Sequence, residues 1–220
     1  MSKILSLIIF LGVSDYIGFA QDVTNSQQRE ANHVKFFMGL NTGLDYDLAY
    51  TQALNVYYDY SYKSMMPRYN IGFDMGLVTS KKLRTRLEMK FVNVKFGIDY
   101  GATYINPEPT VMNINYFDFN FHLDYLLLNK SKFQFYISPA AKYEFKIGEA
   151  VGGNNFNFLN LDHPNNLAGA AVSAIAKYNF TEHFGITFTP EYTCYFSSFA
   201  PSMNKPYQRV SINLGVELTF

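Results

Sequence analysis

The chain of 220 residues is long enough for one domain or at most two, and it combines 21 Phe and 18 Tyr with only 16% charged residues. So much apolar surface with zero formal net charge excludes disorder, and 18 basic against 18 acidic residues leave no electrostatic footprint for a nucleic-acid partner. Cys194 is alone, which excludes a disulfide framework. A mean hydropathy of -0.08 is too low for a bundle of spanning helices, and beyond the N-terminus no apolar run approaches the roughly 18 residues such a helix needs.

Residues 1–20 read as an export signal. Lys3 supplies the positive start and Ile4 to Val13 the apolar stretch, while Gly18, Phe19 and Ala20 put small residues where a signal peptidase reads. Asp15 is irregular in such a segment. Cleavage after Ala20 removes Lys3 and Asp15, so the remaining 200 residues keep 17 charges of each sign. Residues 21–33 form a polar leader, and residues 34–220 the folded domain.

From residue 34 the period is two, the mark of strands with two unlike faces. Val34, Phe36, Met38, Leu40 and Leu44 alternate with Lys35, Gly39, Asn41 and Asp45; Tyr69, Ile71, Phe73, Met75 and Leu77 with Asn70, Gly72, Asp74 and Gly76. Leu83 to Phe91 interleaves Arg84, Arg86, Glu88 and Lys90 with apolar residues, and Phe117 to Tyr125 sets aromatics and Leu123 against Asp118, Asn120, His122 and Asp124. Phe133 to Phe145, a weaker Val172 to Tyr178, Phe184 to Phe196, and Val210 to Phe220 complete eight such segments. Pro139 and Pro190 fall in mid-segment, which predicts a bulge beside each. A further register shift is expected near Phe91 and Val92, where the apolar residues become Val92, Val94, Phe96 and Ile98.

The apolar register holds no charged residue. The other register collects Lys35, Arg84, Arg86, Lys90, Lys142, Lys146, Lys177 and Arg209 with Asp45, Asp74, Glu88, Asp118, Asp124, Glu144, Glu191 and Glu217. A soluble barrel would show the same alternation with its faces reversed, so period alone does not assign the inside. Three other features point to a membrane. Tight turns at Thr79–Lys82, Leu127–Ser131 and Asn179–His183 alternate with long loops at 46–67, 96–112, 147–167 and 197–207, the asymmetry of outer-membrane barrels. Segments of ten to thirteen residues match a tilted spanning strand. Aromatics crowd the strand ends, Tyr57, Tyr58, Tyr60, Tyr62 and Tyr69 at the long loops and Tyr125, Phe133, Phe180, Phe184 and Phe220 at the turns, as interfacial girdles require.

The expected fold is therefore all-β, an eight-stranded antiparallel up-and-down transmembrane β-barrel. Its narrow lumen is filled by side chains, and the twelve groups Arg84, Arg86, Glu88, Lys90, Asp118, His122, Asp124, Lys142, Glu144, Glu191, Arg209 and Glu217 are expected to form a mutually neutral structural network.

Residues 69–91 (YNIGFDMGLVTSKKLRTRLEMKF), 116–145 (YFDFNFHLDYLLLNKSKFQFYISPAAKYEF), and the closing KYNFTEHFGITFTPEY and VSINLGVELTF resemble the small eight-stranded outer-membrane β-barrels of Bacteroidota, the family that includes PorT-like proteins, and more broadly the OmpA- and OmpX-like barrels. The resemblance implies a Gram-negative outer-membrane location, export by a signal peptide, and no catalytic residues. Phe220, a terminal aromatic after alternating apolar residues, is similar to the signal read by the barrel-assembly machinery. The Tyr-rich 46–67 loop departs from the shorter Gly/Ser-rich loops of such barrels.

Chemistry has few footholds. Asp162 and His163 with Ser197 or Ser198 are a base and nucleophile in principle, but adjacent residues in a long loop are a poor signal for a rim enzyme. His122 between Asp118 and Asp124 reads as a hydrogen-bonded luminal histidine before a metal ligand. No cofactor or metal is implied, and the chain is not expected to be an enzyme. Two roles survive: a non-catalytic barrel acting through loops in which Tyr57, Tyr58, Tyr60 and Tyr62 are interaction candidates, as a structural, adhesion or accessory subunit of a surface or secretion complex, or a small porin-like pore or ligand-uptake barrel. Outer-membrane lipid, the assembly machinery and an envelope protein are the expected partners.

Overall fold

A computed structural model describes residues 35–48, 51–55, 58–64, 68–100, 110–152, 165–196 and 206–220. Contacts divide the chain between His33 and Val34, and all described residues lie in the second unit. The export signal and leader expected in residues 1–33 lie outside the described residues.

The described residues form ten strands: β1 (Lys35–Asp47), β2 (Thr51–Asn55), β3 (Tyr58–Ser64), β4 (Arg68–Val78), β5 (Leu83–Tyr100), β6 (Thr110–Lys130), β7 (Phe133–Gly152), β8 (Asn166–Asn179), β9 (Phe184–Tyr195) and β10 (Gln208–Thr219). Eight of them, β1 and β4 to β10, pair antiparallel with their neighbours in a closed ring. The β1–β10 seam closes it, running from Phe37 opposite Thr219 to Asp47 opposite Arg209. The eight-stranded barrel read from the alternation is thus the fold observed. Closure is what a two-faced sheet needs here, because it leaves no unpaired edge in a medium that cannot hydrogen-bond to it.

The remaining two strands correct the reading of 46–67 as a loop. β2 and β3 form a hairpin, and β3 pairs with β5 from Tyr60 opposite Tyr100 to Ser64 opposite Phe96, on the same edge that β4 occupies lower down. The expected segment length of ten to thirteen residues fails for four of the eight ring strands, since β8 runs 14 residues and β5, β6 and β7 run 18, 21 and 20. At roughly 3.3 Å per residue and a tilt of about 45°, the longest rises about 50 Å along the axis, well past a hydrocarbon core of about 30 Å. The pairing that begins in the membrane simply continues above it, into the outer parts of the stretches 96–112 and 147–167.

The bulges also lie elsewhere than expected. Pairing of β6 with β7 lapses at Leu123 and Asp124, opposite Pro139 and Ser138, and resumes in unchanged register; β8 and β9 behave alike at Ala174 and Ile175, opposite Pro190 and Thr189. Each proline lacks one donor, and the ladder loses pairs on that side without an inserted residue. True shifts occur where β6 gains Leu127 and β7 gains Ile147. Near Phe91 and Val92 the β5 pairings run unbroken, so no shift occurs there. Val92 and Val94 instead point inward and are buried beside Ile114 and Tyr116, because the inner wall itself turns apolar toward the long-loop end.

The outward register presents Leu40, Ile71, Leu87, Phe121, Val172, Phe188, Leu214 and Leu218, all exposed, while the buried residues are mainly the charged and polar ones. The core is the lumen. Cys194 falls in the outward register, half-buried. Two of the charges assigned to the inside are corrected: Lys35 is exposed at the turn end, and Lys146 is half-buried at the level where β7 carries its extra residue.

Candidate functional site

The only chemistry-bearing cluster among the described residues fills the lumen. Each member is delivered by the period-two alternation of its strand, so all twelve residues of the expected network converge there and are buried. Seven cations (Arg68, Arg84, Arg86, Lys90, Lys142, Lys177, Arg209) and eight carboxylates (Asp45, Asp74, Glu88, Asp118, Asp124, Glu144, Glu191, Glu217) are buried among the described residues. His122 is the one other buried group able to carry a positive charge; its Nε2 lies 3.2 Å from Glu88 and its Nδ1 3.0 Å from Ser138 Oγ, which in turn donates to Asp124 at 2.5 Å.

The pairs form a ladder along the axis. At the short-turn end Arg84 bridges Asp124 (2.7 Å) and Glu217 (2.9 Å), and Lys177 joins Glu217 at 2.5 Å. One step up, Arg86 meets Asp124 at 3.2 Å and Glu88 at 3.5 Å, and Lys90 holds the other oxygen of Glu88 at 3.0 Å. Asn41 donates to both Asp74 and Glu88, and Asn120 to both Glu88 and Asp118. Lys142 then lies between Asp118 (3.2 Å) and Glu191 (2.8 Å), and Arg209 closes the series on Glu144 at 2.7 Å. Each charge is expensive to bury alone, and shared partners are what make the set tolerable in a dry lumen.

Both ends of this ladder are stoppered by arginine packed against aromatic rings. Arg84 lies between Phe37 and Tyr136, its guanidinium carbon 4.6 and 4.2 Å from their centroids. At the other end Tyr195 stacks on Tyr207 with centroids 4.8 Å apart, Arg209 lies about 5.5 Å from each ring, and Tyr195 donates its hydroxyl to Glu144. Cation–π contact suits both places because the arginines are desolvated. Between the stoppers the described lumen retains a cavity of about 20 Å³, lined by Asn41, Asp74, Arg86, Glu88, Asn213 and Glu217 among others. That is room for about one water molecule, and not for a solute.

The wall formed by β1, β4 and β10 makes space for these side chains by omitting its own. A methyl group on Gly72 would come within 2.6 Å of Lys90 Cγ and 2.7 Å of Asn41 Oδ1. Gly72→Ala is expected to destabilise the barrel by about 1 to 3 kcal/mol through overpacking, seen as a lowered guanidinium midpoint.

Donors of metal-ligand type do meet in the lumen. Atoms of Glu88, His122 and Glu191 lie within 4.8 Å of one another, a trio different from the Asp118, His122 and Asp124 considered from sequence. Asp118 and Asp124 are engaged by Lys142 and the two arginines. The oxygens of the trio are held by Lys90 and Lys142, so a divalent ion would have to displace two ammonium groups.

Sequence reading missed several members. Arg68 precedes the first residue of its alternating segment, and Tyr207 sits at the edge of a long loop, so neither belonged to a visible alternation. Phe37, Tyr116 and Tyr136 are inward aromatics whose polar neighbours carry the signal instead. Of the tyrosine cluster, Tyr58, Tyr60 and Tyr62 belong to the backbone of β3, while Tyr57 and the side chains of the cluster lie outside the described residues, as do Asp162, His163, Ser197 and Ser198. Phe220 donates its backbone N–H to Phe36 O at 2.8 Å, and their rings lie 6.2 Å apart at the seam.

No protein-family model matches the chain, and no curated protein matches it in sequence. Solved structures do share its fold. The outer membrane protein OprG from Pseudomonas aeruginosa aligns over 85% of this chain and 96% of its own, with a TM-score of 0.56 at 13% identity. The outer membrane protein AlkL aligns over 89% and 94%, also at 0.56, with 12% identity. Neisserial surface protein A gives 0.55 over 84% and 97%, at 12% identity. The fold is that of the small outer-membrane β-barrels.

Proposed function

We propose that the protein is a non-catalytic outer-membrane β-barrel that acts through its long-loop end, as a structural, adhesion or accessory subunit of a surface or secretion complex in a Gram-negative bacterium. The observation that carries this reading is the lumen, stoppered at Arg84 and at Arg209, with a cavity of about 20 Å³ between them among the described residues. A barrel that offers no passage works at its ends.

The long-loop end is the one built up. β5, β6 and β7 continue above the ring and β3 pairs with β5, which gives the loops a hydrogen-bonded base. By the same reading the short turns face the periplasm, residues 1–20 direct export, and Phe220 at the seam engages the assembly machinery. Kinship with the PorT-like barrels of Bacteroidota is part of this proposal and rests on the sequence segments quoted above.

Two measurements test it together. Reconstituted into planar bilayers, the barrel is expected to give no solute-sized conductance; steady unitary openings would favour the porin-like alternative. Gentle detergent extraction followed by a native gel and mass spectrometry is expected to recover it with an envelope protein. Migration as a lone barrel would sink the accessory-subunit reading.

A further inference from the structure

The charges of this neutral chain are segregated along the barrel. Lys35, Lys81, Lys82, Lys130 and Lys132 are all exposed at the short-turn end, where Glu182 is the only acidic side chain among the turn residues. The stretches 46–67, 96–112, 147–167 and 197–207 at the other end run the other way, with six acids (Asp47, Asp59, Asp99, Glu108, Glu149, Asp162) against Lys63 and Lys205. None of the five turn-end lysines makes an ion pair among the described residues, although nine pairs of lysine or arginine with a carboxylate are made in the lumen.

The lysines also fall on one side. Ring order places β1, β4, β5, β6 and β7 consecutively, so the lysines span one continuous arc: Lys35 opens β1, Lys81 and Lys82 form the β4–β5 turn, and Lys130 and Lys132 flank Ser131 in the β6–β7 turn. Ser131 has a φ of 52°, the left-handed conformation that lets two residues reverse the chain and hold both lysines at its tip. The β8–β9 turn on the opposite side carries Glu182 and no lysine.

Beneath the lysines the bulge in β6 supplies an apolar counterpart. The extra residue breaks the alternation so that consecutive Leu127 and Leu128 are both exposed, at 56% and 46%, with Phe133 outward across the turn. Two neighbouring leucines on one outer surface are something a regular strand cannot present. Apolar side chains at acyl depth with ammonium groups one or two residues farther out match the layering of a phospholipid leaflet, fatty chains and then phosphates.

We propose that this lysine arc is a binding surface for anionic phospholipid headgroups of the leaflet facing the short turns. The recognised group is the phosphodiester with its net negative charge. Lysine suits the task because its compact, mobile ammonium follows a fluid headgroup layer, and the positive charge rather than the shape of the head carries the selectivity. The surface would hold the barrel at a set depth and gather a shell of acidic lipid on one side. This rests on the membrane-spanning reading of the fold.

The test is lipid selectivity of the full chain, inserted into phosphatidylcholine vesicles doped with spin-labelled phosphatidylglycerol or spin-labelled phosphatidylcholine. Motionally restricted phosphatidylglycerol is expected to exceed phosphatidylcholine several-fold at low salt and to approach it as salt rises. The K81Q/K82Q/K130Q/K132Q variant is expected to bring the two lipids to parity, and the corresponding four lysine-to-arginine changes to keep the preference. These substitutions lie in exposed turns, and the heat-dependent gel shift of the closed barrel checks that each variant folds. Equal restriction of both lipids by the unaltered chain, or a preference surviving in the glutamine variant, overturns the proposal. So does lysine-dependent sedimentation with peptidoglycan in the absence of any lipid preference. Failure to insert into vesicles at all would instead overturn the membrane reading and this proposal with it.

Discussion

Glu144→Leu is expected to cost the barrel about 3 to 5 kcal/mol, because it leaves a buried guanidinium without the carboxylate it was built against. Glu144 is fully buried and receives Arg209 through both oxygens, at 2.7 and 3.3 Å, as well as the Tyr195 hydroxyl. The loss should be seen as a lowered urea midpoint for the barrel folded into lipid vesicles. Arg209→Leu alone is expected to cost a similar amount by stranding the carboxylate. The double substitution should recover most of either loss, since the two leucines would sit among Tyr195, Tyr207 and Leu167 with no charge to desolvate. If both single changes proved nearly silent, the upper stopper would be solvated, and the argument for a closed lumen would fail at that end.

The second large effect lies on the other face. Val172 is in the middle of β8, 45% exposed, opposite Pro139 on one side and Tyr192 on the other. Val172→Arg is expected to cost about 2 to 4 kcal/mol when the barrel folds into a bilayer, the penalty for a cation at the midplane of the lipid face. Glu182→Arg, in an exposed turn, should be silent. The comparison decides the face assignment directly: on a water-facing surface Val172→Arg would be as harmless as Glu182→Arg.

How much of this was legible in the sequence follows from what the bilayer enforces. Lipid excludes charge from every outward position over about ten residues per strand, so the alternation from Phe117 to Tyr125 or from Val210 to Phe220 is nearly free of noise and gives strand, face and lumen at once. Beyond the bilayer that constraint lapses. Toward that end Val92 and Val94, paired with Tyr116 and Ile114, turn the inward face apolar, and the outer stretches of β5, β6 and β7 read as loops where the pairing in fact continues. Val92 and Val94 misled for the same reason: an apolar inner wall and a shifted register give the same string of residues. The prolines were read correctly as missing donors, but whether a ladder answers with a bulge or with two lost pairs depends on what the neighbouring strand can absorb. Apart from Arg68 and Tyr207, which fall outside the alternating segments, the charged members of the network are visible and their pairing is not, since period two says which side chains enter the lumen and nothing of who meets whom across it. The contact between Arg84 and Glu217 spans 133 positions.

The pairing has a consequence for how the chain can enter a membrane. Counting only the buried charges, the hairpin of β4 and β5 carries Arg68, Arg84, Arg86 and Lys90 against Asp74 and Glu88, a surplus of two positive charges. The hairpin of β6 and β7 carries Lys142 against Asp118, Asp124 and Glu144, a surplus of two negative ones. Neither could be laid into hydrocarbon by itself without two unneutralised charges, and their deficits cancel where Arg84 and Arg86 reach Asp124 across the β5–β6 junction. Of the remaining bridges between hairpins, Arg84 to Glu217, Lys177 to Glu217 and Arg209 to Glu144 end on β10, and Lys142 to Glu191 ends on β9. Insertion by successive hairpins is thereby disfavoured at every stage before the last. The early strands are therefore poor guests in hydrocarbon until later ones arrive, which is expected to couple insertion of the hairpins to closure of the ring.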